Sequence, residues 1–252
     1  MTHEAQLYKR NCFITLTYEE GQLPHERHAG VPFNSLHYAD YQLFMKRLRK
    51  LSGPGVRFFM CGEYGPEGGR PHYHANLFGW NPEDQKYWKK SGAGERLYRS
   101  ASLEALWPYG WSSVQPFTSR TAGYAARYVV AKVGGDLAES HYRSVDPDGV
   151  VHQRLPEFSR CSLRPGIGAR WYGRYGRDVF PHDVAVADGI ARQVPKYYDR
   201  LAKREGKVDW DAVEFKRQGK AKKSFAHQSD ERRKVREVVH QAKVKNLRRD
   251  LL

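Results

Sequence analysis

Two imidazoles set two residues apart are the first sign of chemistry in this chain. His72 and His74 stand in the apolar run 72–78, HYHANLF. Side chains at i and i+2 of a strand share a face, so Asn76 and Phe78 join the histidines while Tyr73, Ala75 and Leu77 take the other side. An earlier apolar run at 56–61 and the Gly, Pro and charged residues between the two predict a hairpin. Pairing Glu63 opposite His72 puts a carboxylate beside both imidazoles, a donor set suited to a divalent cation. Cys61 on the same patch would favour zinc, but a closed structural zinc site draws on more thiolates than the scattered Cys12, Cys61 and Cys161 offer. An isolated His-x-His is also what ordinary surface or packing histidines produce, so the pair needs a partner function.

That partner is the stretch 118–133, TSRTAGYAARYVVAKV. Thr118 or Ser119 can cap a helix and the Ala-rich run favours one. Tyr124 and Tyr128, four residues apart, then share a face, with Lys132 a turn further, and Gly134-Gly135 ends the helix. Tyrosines at this spacing are commonly a packing stripe. Beside a cation site they have another use. A phenol with a pKa of about 10 is a weak nucleophile at neutral pH, but a cation held by His72, His74 and Glu63 polarises a phosphodiester. Attack by Tyr124 or Tyr128 leaves a 3′-hydroxyl and a 5′-phosphotyrosine, with Lys132 offsetting charge or assisting proton transfer. The phosphotyrosine keeps the energy of the broken bond, so strands can be rejoined, and two tyrosines permit two successive cleavages.

The elements that must position these groups are readable in order. Residues 11–18, NCFITLTY, alternate as a strand, with Phe13, Thr15 and Thr17 on one face. Ser35 stands where a cap would precede a helix carrying Tyr41, Phe44, Leu48 and Leu51 at helical spacing, stopped by Gly53-Pro54-Gly55. Residues 81–111 read as an insertion in which Lys86, Lys89 and Lys90 mix with Tyr87, Trp88, Trp107 and Trp111, suited either to anchoring or to stacking on unpaired bases. Residues 112–117 read as a further strand. The Arg- and Gly-rich stretch 158–182 reads either as a phosphate-holding loop or as a structural connection, and a helix is expected after Pro195.

Composition narrows the partners. The 252 residues include 43 Lys and Arg against 28 Asp and Glu, a net charge of +15, and the mean hydropathy is −0.78. Residues 200–252 alone hold 17 Lys or Arg and 8 Asp or Glu, with little apolar material for a core. Such a balance points to a polyanion, nucleic acid before anionic membrane. A polar N-terminus and the lack of a long apolar run argue against a signal peptide or spanning helix, and three dispersed cysteines suit a reducing compartment.

With these residues in place, a resemblance emerges. PHYHANLFG is similar to the His-hydrophobic-His motif of HUH endonucleases, YAARYVVAK to the two-tyrosine motif of their rolling-circle initiators, and FITLT to the first motif of that superfamily, in the same order. RPHYHANLFGW, GYAARYVVAKV, RPGIGARW and RQVPKYYDRL resemble the replication initiators of microviruses, small single-stranded DNA phages, in their gokushovirus branch. The middle residue of the first motif, Tyr73, departs from the usual aliphatic. The resemblance implies an α+β fold, a palm-like or RRM-like antiparallel sheet of about five strands packed by helices. With it we expect a nicking and joining domain over residues 1–190 and a basic, helical or partly disordered extension over 191–252. It implies a Mn²⁺- or Mg²⁺-dependent nickase and strand transferase with His72, His74 and Glu63 as metal ligands (Glu67 in reserve) and Tyr124, Tyr128 and Lys132 as catalytic residues. Thr15, Thr17, Arg70 and Arg127 are assigned to contacting DNA. The implied partners are single-stranded DNA or the replicative-form origin, together with a host helicase and DNA polymerase, in the host bacterial cytoplasm; no membrane is expected. The alternatives are a noncatalytic palm-fold single-stranded nucleic-acid binder and a nuclease that uses activated water.

Overall fold

The structure is a computed structural model. It describes residues 1–65, 69–92, 94–180 and 182–245, with the side chains of 128–131, 226, 244 and 245 set aside. By internal packing the chain forms two compact units, residues 1–167 and the residues from 168 onward.

The first unit is built on β1, Asn11–Tyr18, whose alternation gives it one side for each of two buried clusters. Cys12, Ile14, Leu16 and Tyr18 face a large core, and Phe13 a small one. After two short helical turns, α1 (Thr2–Ala5) before β1 and α2 (Pro24–Arg27) after it, comes α3, Tyr38–Ser52. Its Tyr41, Phe44, Met45 and Leu48 enter the large core, while Leu51 stays exposed in the last turn. Ser35 does not cap this helix. The N-cap is His37, without a side-chain cap bond, because the buried Ser35 hydroxyl accepts the Leu155 amide at 3.1 Å instead.

The expected hairpin is β2 (Arg57–Tyr64) and β3 (Pro71–Phe78), antiparallel with Glu63 opposite His72 and Cys61 opposite His74. Next come β4 (Lys86–Lys90), β5 (Arg96–Arg99), α4 (Ala101–Leu106), β6 (Gly110–Pro116) and α5 (Ser119–Ala131). A short helix α6 (Leu137–His141), a hairpin of β7 (Arg143–Val145) and β8 (Val151–Gln153), and β9 (Phe158–Cys161) follow. The sheet has seven strands in the order β4-β5-β6-β1-β3-β2-β9, all pairs antiparallel. The α+β class is as expected. The sheet is wider than about five strands because the 81–111 insertion adds the β4–β5 hairpin at one edge. Helices cover both faces: α3 shares the large core with Ile14 and Tyr73, and α5 lies against β2 and β3 on the histidine side.

In the second unit, α7 (Ala169–Val179), a hairpin of β10 (Ala185–Ala187) and β11 (Ile190–Arg192), and α8 (Lys196–Glu205) pack together. Trp171 stacks on Tyr198 with centroids 5.8 Å apart. Most of the stretch read as loop or connection is therefore helix. Two basic helices, α9 (Trp210–Lys223) and α10 (Asp230–Lys245), complete it. Arg217 bridges Asp183 at 2.7 Å and Asp199 at 2.9 Å, tying α9 to α8 and to the turn before β10. Among the described residues no helix is long and apolar enough to cross a membrane.

Candidate active site and metal centre

Directly opposed residues of an antiparallel pair lie on one face, so the register defines two rows across the sheet. One runs Trp111, Thr17, His72, Glu63, and the other Ser113, Thr15, His74, Cys61. Glu63 is central. Its Oε1 lies 2.7 Å from His72 Nε2 and 2.6 Å from His74 Nε2, and all three side chains are buried.

Their outer contacts fix the ring orientations. His72 Nδ1 lies 3.1 Å from the Arg70 carbonyl, which only accepts, so this nitrogen carries the proton. The neutral ring then turns the lone pair of Nε2 toward a carboxylate oxygen that is also an acceptor, and that contact requires a cation between the two atoms. His74 Nδ1 lies 2.9 Å from the Thr15 hydroxyl, a backing contact of the kind that orients metal-bound histidines. Glu63 Oε2 is buried and makes no hydrogen bond. Burial pushes the Glu63 carboxyl up, but the charge of His74, hydrogen bonds from both histidines and the charge of His72 outweigh it and bring the pKa down to about 2. Burial holds His74 below its ordinary value, partly offset by Glu63. One nitrogen each from His72 and His74 and a carboxylate oxygen of Glu63 lie within 4.8 Å of one another. A carboxylate with a free buried oxygen, facing two oriented imidazoles, fits a divalent cation.

Cys61 does face this side, opposite His74. It packs with Phe13, Tyr124 and Ala125, and burial pushes its thiol well up, so the donor set is His, His and carboxylate.

The α5 helix delivers Tyr124 to the same place. Thr118 caps it: its hydroxyl accepts the Thr121 amide at 3.1 Å, and Thr121 Oγ1 accepts the Thr118 amide at 2.9 Å. Tyr124 is 2% exposed. Its hydroxyl donates to Glu63 Oε1 at 3.5 Å, and its ring meets His74 edge to face with centroids 5.0 Å apart. The Arg127 guanidinium stands 5.6 Å from the Tyr124 ring centroid.

The other expected residues are placed differently. Tyr128 belongs to α5 by its backbone, but its side chain, like Glu67, lies outside what the structure describes. Lys132 is the exposed C-cap with ψ of 122°, so the helix ends before it and helical spacing does not put it on the tyrosine face. Thr15 is buried, with its hydroxyl against His74, whereas Thr17 is half-buried beside His72. Arg70 donates to the Tyr18 carbonyl at 2.9 Å, pairs with Glu20 and stands 5.9 Å from the Trp111 ring centroid. Trp111, 50% exposed, was read only as part of an insertion. Its place in the Glu63 row follows from pairing β6 with β1, a register that alternation within 110–116 hints at but does not fix.

Comparison with known proteins agrees with this geometry. Residues 11–133 match the family of the replication-associated protein ORF2. The motif resemblance is borne out. The matched span runs from the first residue of β1 to just past α5, so it contains both rows and Tyr124. The chain is also similar to replication-associated protein VP4 of Bdellovibrio phage phiMH2K, 29% identical over 90% of this chain and 69% of that one. Replication-associated protein ORF4 of Chlamydia phage 1 is 29% identical over 81% of this chain, which spans 48% of it. Replication-associated protein ORF2 of Spiroplasma virus 4 is 28% identical over 86% of this chain, which spans 66% of it. No solved structure matches the chain.

Proposed function

We propose that this protein initiates phage DNA replication by nicking single-stranded DNA at an origin, with Tyr124 as nucleophile. The observation that carries the reading is the Tyr124 hydroxyl standing 3.5 Å from the carboxylate that His72 and His74 share. A Mn²⁺ or Mg²⁺ ion held by His72, His74 and Glu63 would polarise the scissile phosphodiester. Thr15 and the Arg70 carbonyl hold the two rings so that both Nε2 atoms point inward. The Tyr124 Oη–P bond forms as the P–O3′ bond breaks, and the phenol proton lost is matched by the proton the 3′-oxygen gains. Glu63, with its pKa brought down to about 2, is a ligand and not a base. Tyr128, four residues on in α5, is the second nucleophile, which rejoins strands after a round of synthesis; Lys132 and Arg127 supply positive charge nearby. The names of the relatives support the replication role. A host helicase and polymerase acting in the host bacterial cytoplasm complete the reading.

The test is a nicking assay on single-stranded DNA carrying the cognate origin, with Mn²⁺ or with EDTA, resolved on a denaturing gel. Metal-dependent transfer of DNA onto protein, lost in Tyr124→Phe/Tyr128→Phe, is the expected result. Cleavage without adduct in that variant would select a hydrolytic nuclease. Tight binding with neither cut nor adduct would leave a noncatalytic binding module.

A further inference from the structure

A second group of metal-ligating side chains lies on the α3 side of the sheet, away from Glu63. We propose that His28, His37 and Asp40 form a second cation site, of the zinc type, with three protein ligands and one open position. One nitrogen from each histidine and an oxygen of Asp40 lie within 4.8 Å of one another. His28 Nε2 stands 3.5 Å from Asp40 Oδ1 and His37 Nδ1 stands 3.4 Å from Asp40 Oδ2. His28 Nε2, His37 Nδ1 and Asp40 Oδ1 are all buried atoms, and none makes a hydrogen bond. Three orphaned polar atoms at one point are rare in a folded protein and call for a bound species. Their spacing fits one, because bonds of about 2.0–2.2 Å in a tetrahedron place ligand atoms about 3.3–3.6 Å apart.

The carboxylate is arranged for single-oxygen ligation. Asp40 is fully buried. Its Oδ2 accepts from Tyr18 at 2.7 Å and from Arg27 at 2.5 Å, which leaves Oδ1 to face His28. Hydrogen bonds on the outer oxygen of a ligating carboxylate are the usual second layer of a metal site. Arg27 is held there by the Gln22 carbonyl at 2.9 Å and by the Tyr109 ring, 3.9 Å from its guanidinium. Its positive charge makes this a weaker site than a closed cluster of thiolates. The imidazoles favour zinc or a similar transition metal over magnesium. A cation here would clip the loop after α2 to the start of α3. That loop leads from Glu20, which pairs with Arg70, whose carbonyl holds His72.

Titration calorimetry of the full chain with Zn²⁺ tests the site, using a His72→Ala/His74→Ala background to remove the first centre. That variant should still bind one Zn²⁺ and gain thermal stability from it. Adding His28→Gln/His37→Gln should abolish both effects while far-UV circular dichroism stays unchanged. His28→Gln alone should weaken binding at least tenfold. Co²⁺ in the background variant should give the visible bands of a tetrahedral nitrogen and oxygen site. No Zn²⁺ bound by the His72→Ala/His74→Ala variant, or binding indifferent to His28 and His37, would overturn the proposal.

Discussion

Replacing Glu63 by Gln keeps the shape of the site and removes its charge, and the consequence for stability can be worked out. The Glu63 carboxyl is brought from 4.5 down to about 2 in the fold. At about 1.4 kcal/mol per pKa unit, that difference contributes about 3 kcal/mol at neutral pH. Because the folded pKa is the lower one, this stability is complete above the unfolded value and is lost as pH falls toward the folded value. Between pH 5 and pH 3 the unfolded chain takes up most of a proton at this position and the folded chain almost none, a loss of about 2 kcal/mol. His74, held low chiefly by burial, erodes stability from about pH 6.5 downward in both proteins, so the comparison is restricted to the lower window. Urea unfolding of wild type and Glu63→Gln in metal-free buffer at pH 5, 4 and 3 reads the difference. Wild type should lose about 2 kcal/mol more than the variant across that range. At pH 7 the variant should also lose the Mn²⁺-induced rise in stability, because the cation has lost its charged ligand. Parallel curves for the two proteins would refute the reasoning, since they would mean that the histidines do not hold Glu63 ionised.

Four further outcomes are expected. Tyr124→Phe should eliminate the adduct attributed to that residue while changing stability by less than about 1 kcal/mol, because its 3.5 Å contact with Glu63 is weak; denaturing gels and urea melts read the two. Thr15→Val removes the hydroxyl behind His74 and should weaken Mn²⁺ binding by about 10- to 100-fold in a metal titration. Trp111→Ala should weaken single-stranded DNA binding in EDTA by about 1–3 kcal/mol, the worth of one stacked base, and Trp111→Phe should restore much of it; fluorescence anisotropy measures both. Gly110 has φ of +147°, and a Cβ there would press on Thr17 O at 2.5 Å and on the backbone of Tyr18 and Glu19. Gly110→Ala should therefore cost at least about 2 kcal/mol, seen as a fall in Tm of about 4–8 °C.

The parts of this structure that were legible in the sequence are those set by short-range periodicity. The period of two in HYHANLF put His72 and His74 on one face, and the hairpin brought Glu63 to them. The i, i+4 spacing and the Thr118 cap placed Tyr124 on a helix. What escaped depends on tertiary pairing. The exposed β4 run, KYWKK, lacks alternation, because an edge strand with both faces in water needs none. Lys132 drops off the tyrosine face because its ψ of 122° ends the helix one residue earlier than the Gly pair suggests. His28 and His37 sit in loop sequence without any period. They meet only because Tyr18 and Arg27 anchor Asp40 beneath them.

The same logic explains why the site is so closely tied to the core. Tyr73, Ala75 and Leu77 are fully buried on the α3 side, and the intervening His72, His74 and Asn76 are buried on the α5 side. A slip of one residue in β3 would exchange the two sets and bury imidazoles among Tyr41, Phe44 and Trp107. The register that fills the large core is therefore the register that aligns Glu63, His72, Thr17 and Trp111. Tyr124 depends on it too, because its ring packs on His74 and Phe13, which belong to the same face. Once the core side of β1, β2 and β3 is packed, the opposite side is fixed by the pleat alone. The cation ligands and the nucleophile thus need little stabilisation of their own, and a carboxylate with an unpaired buried oxygen can be held there at a cost the surrounding core offsets.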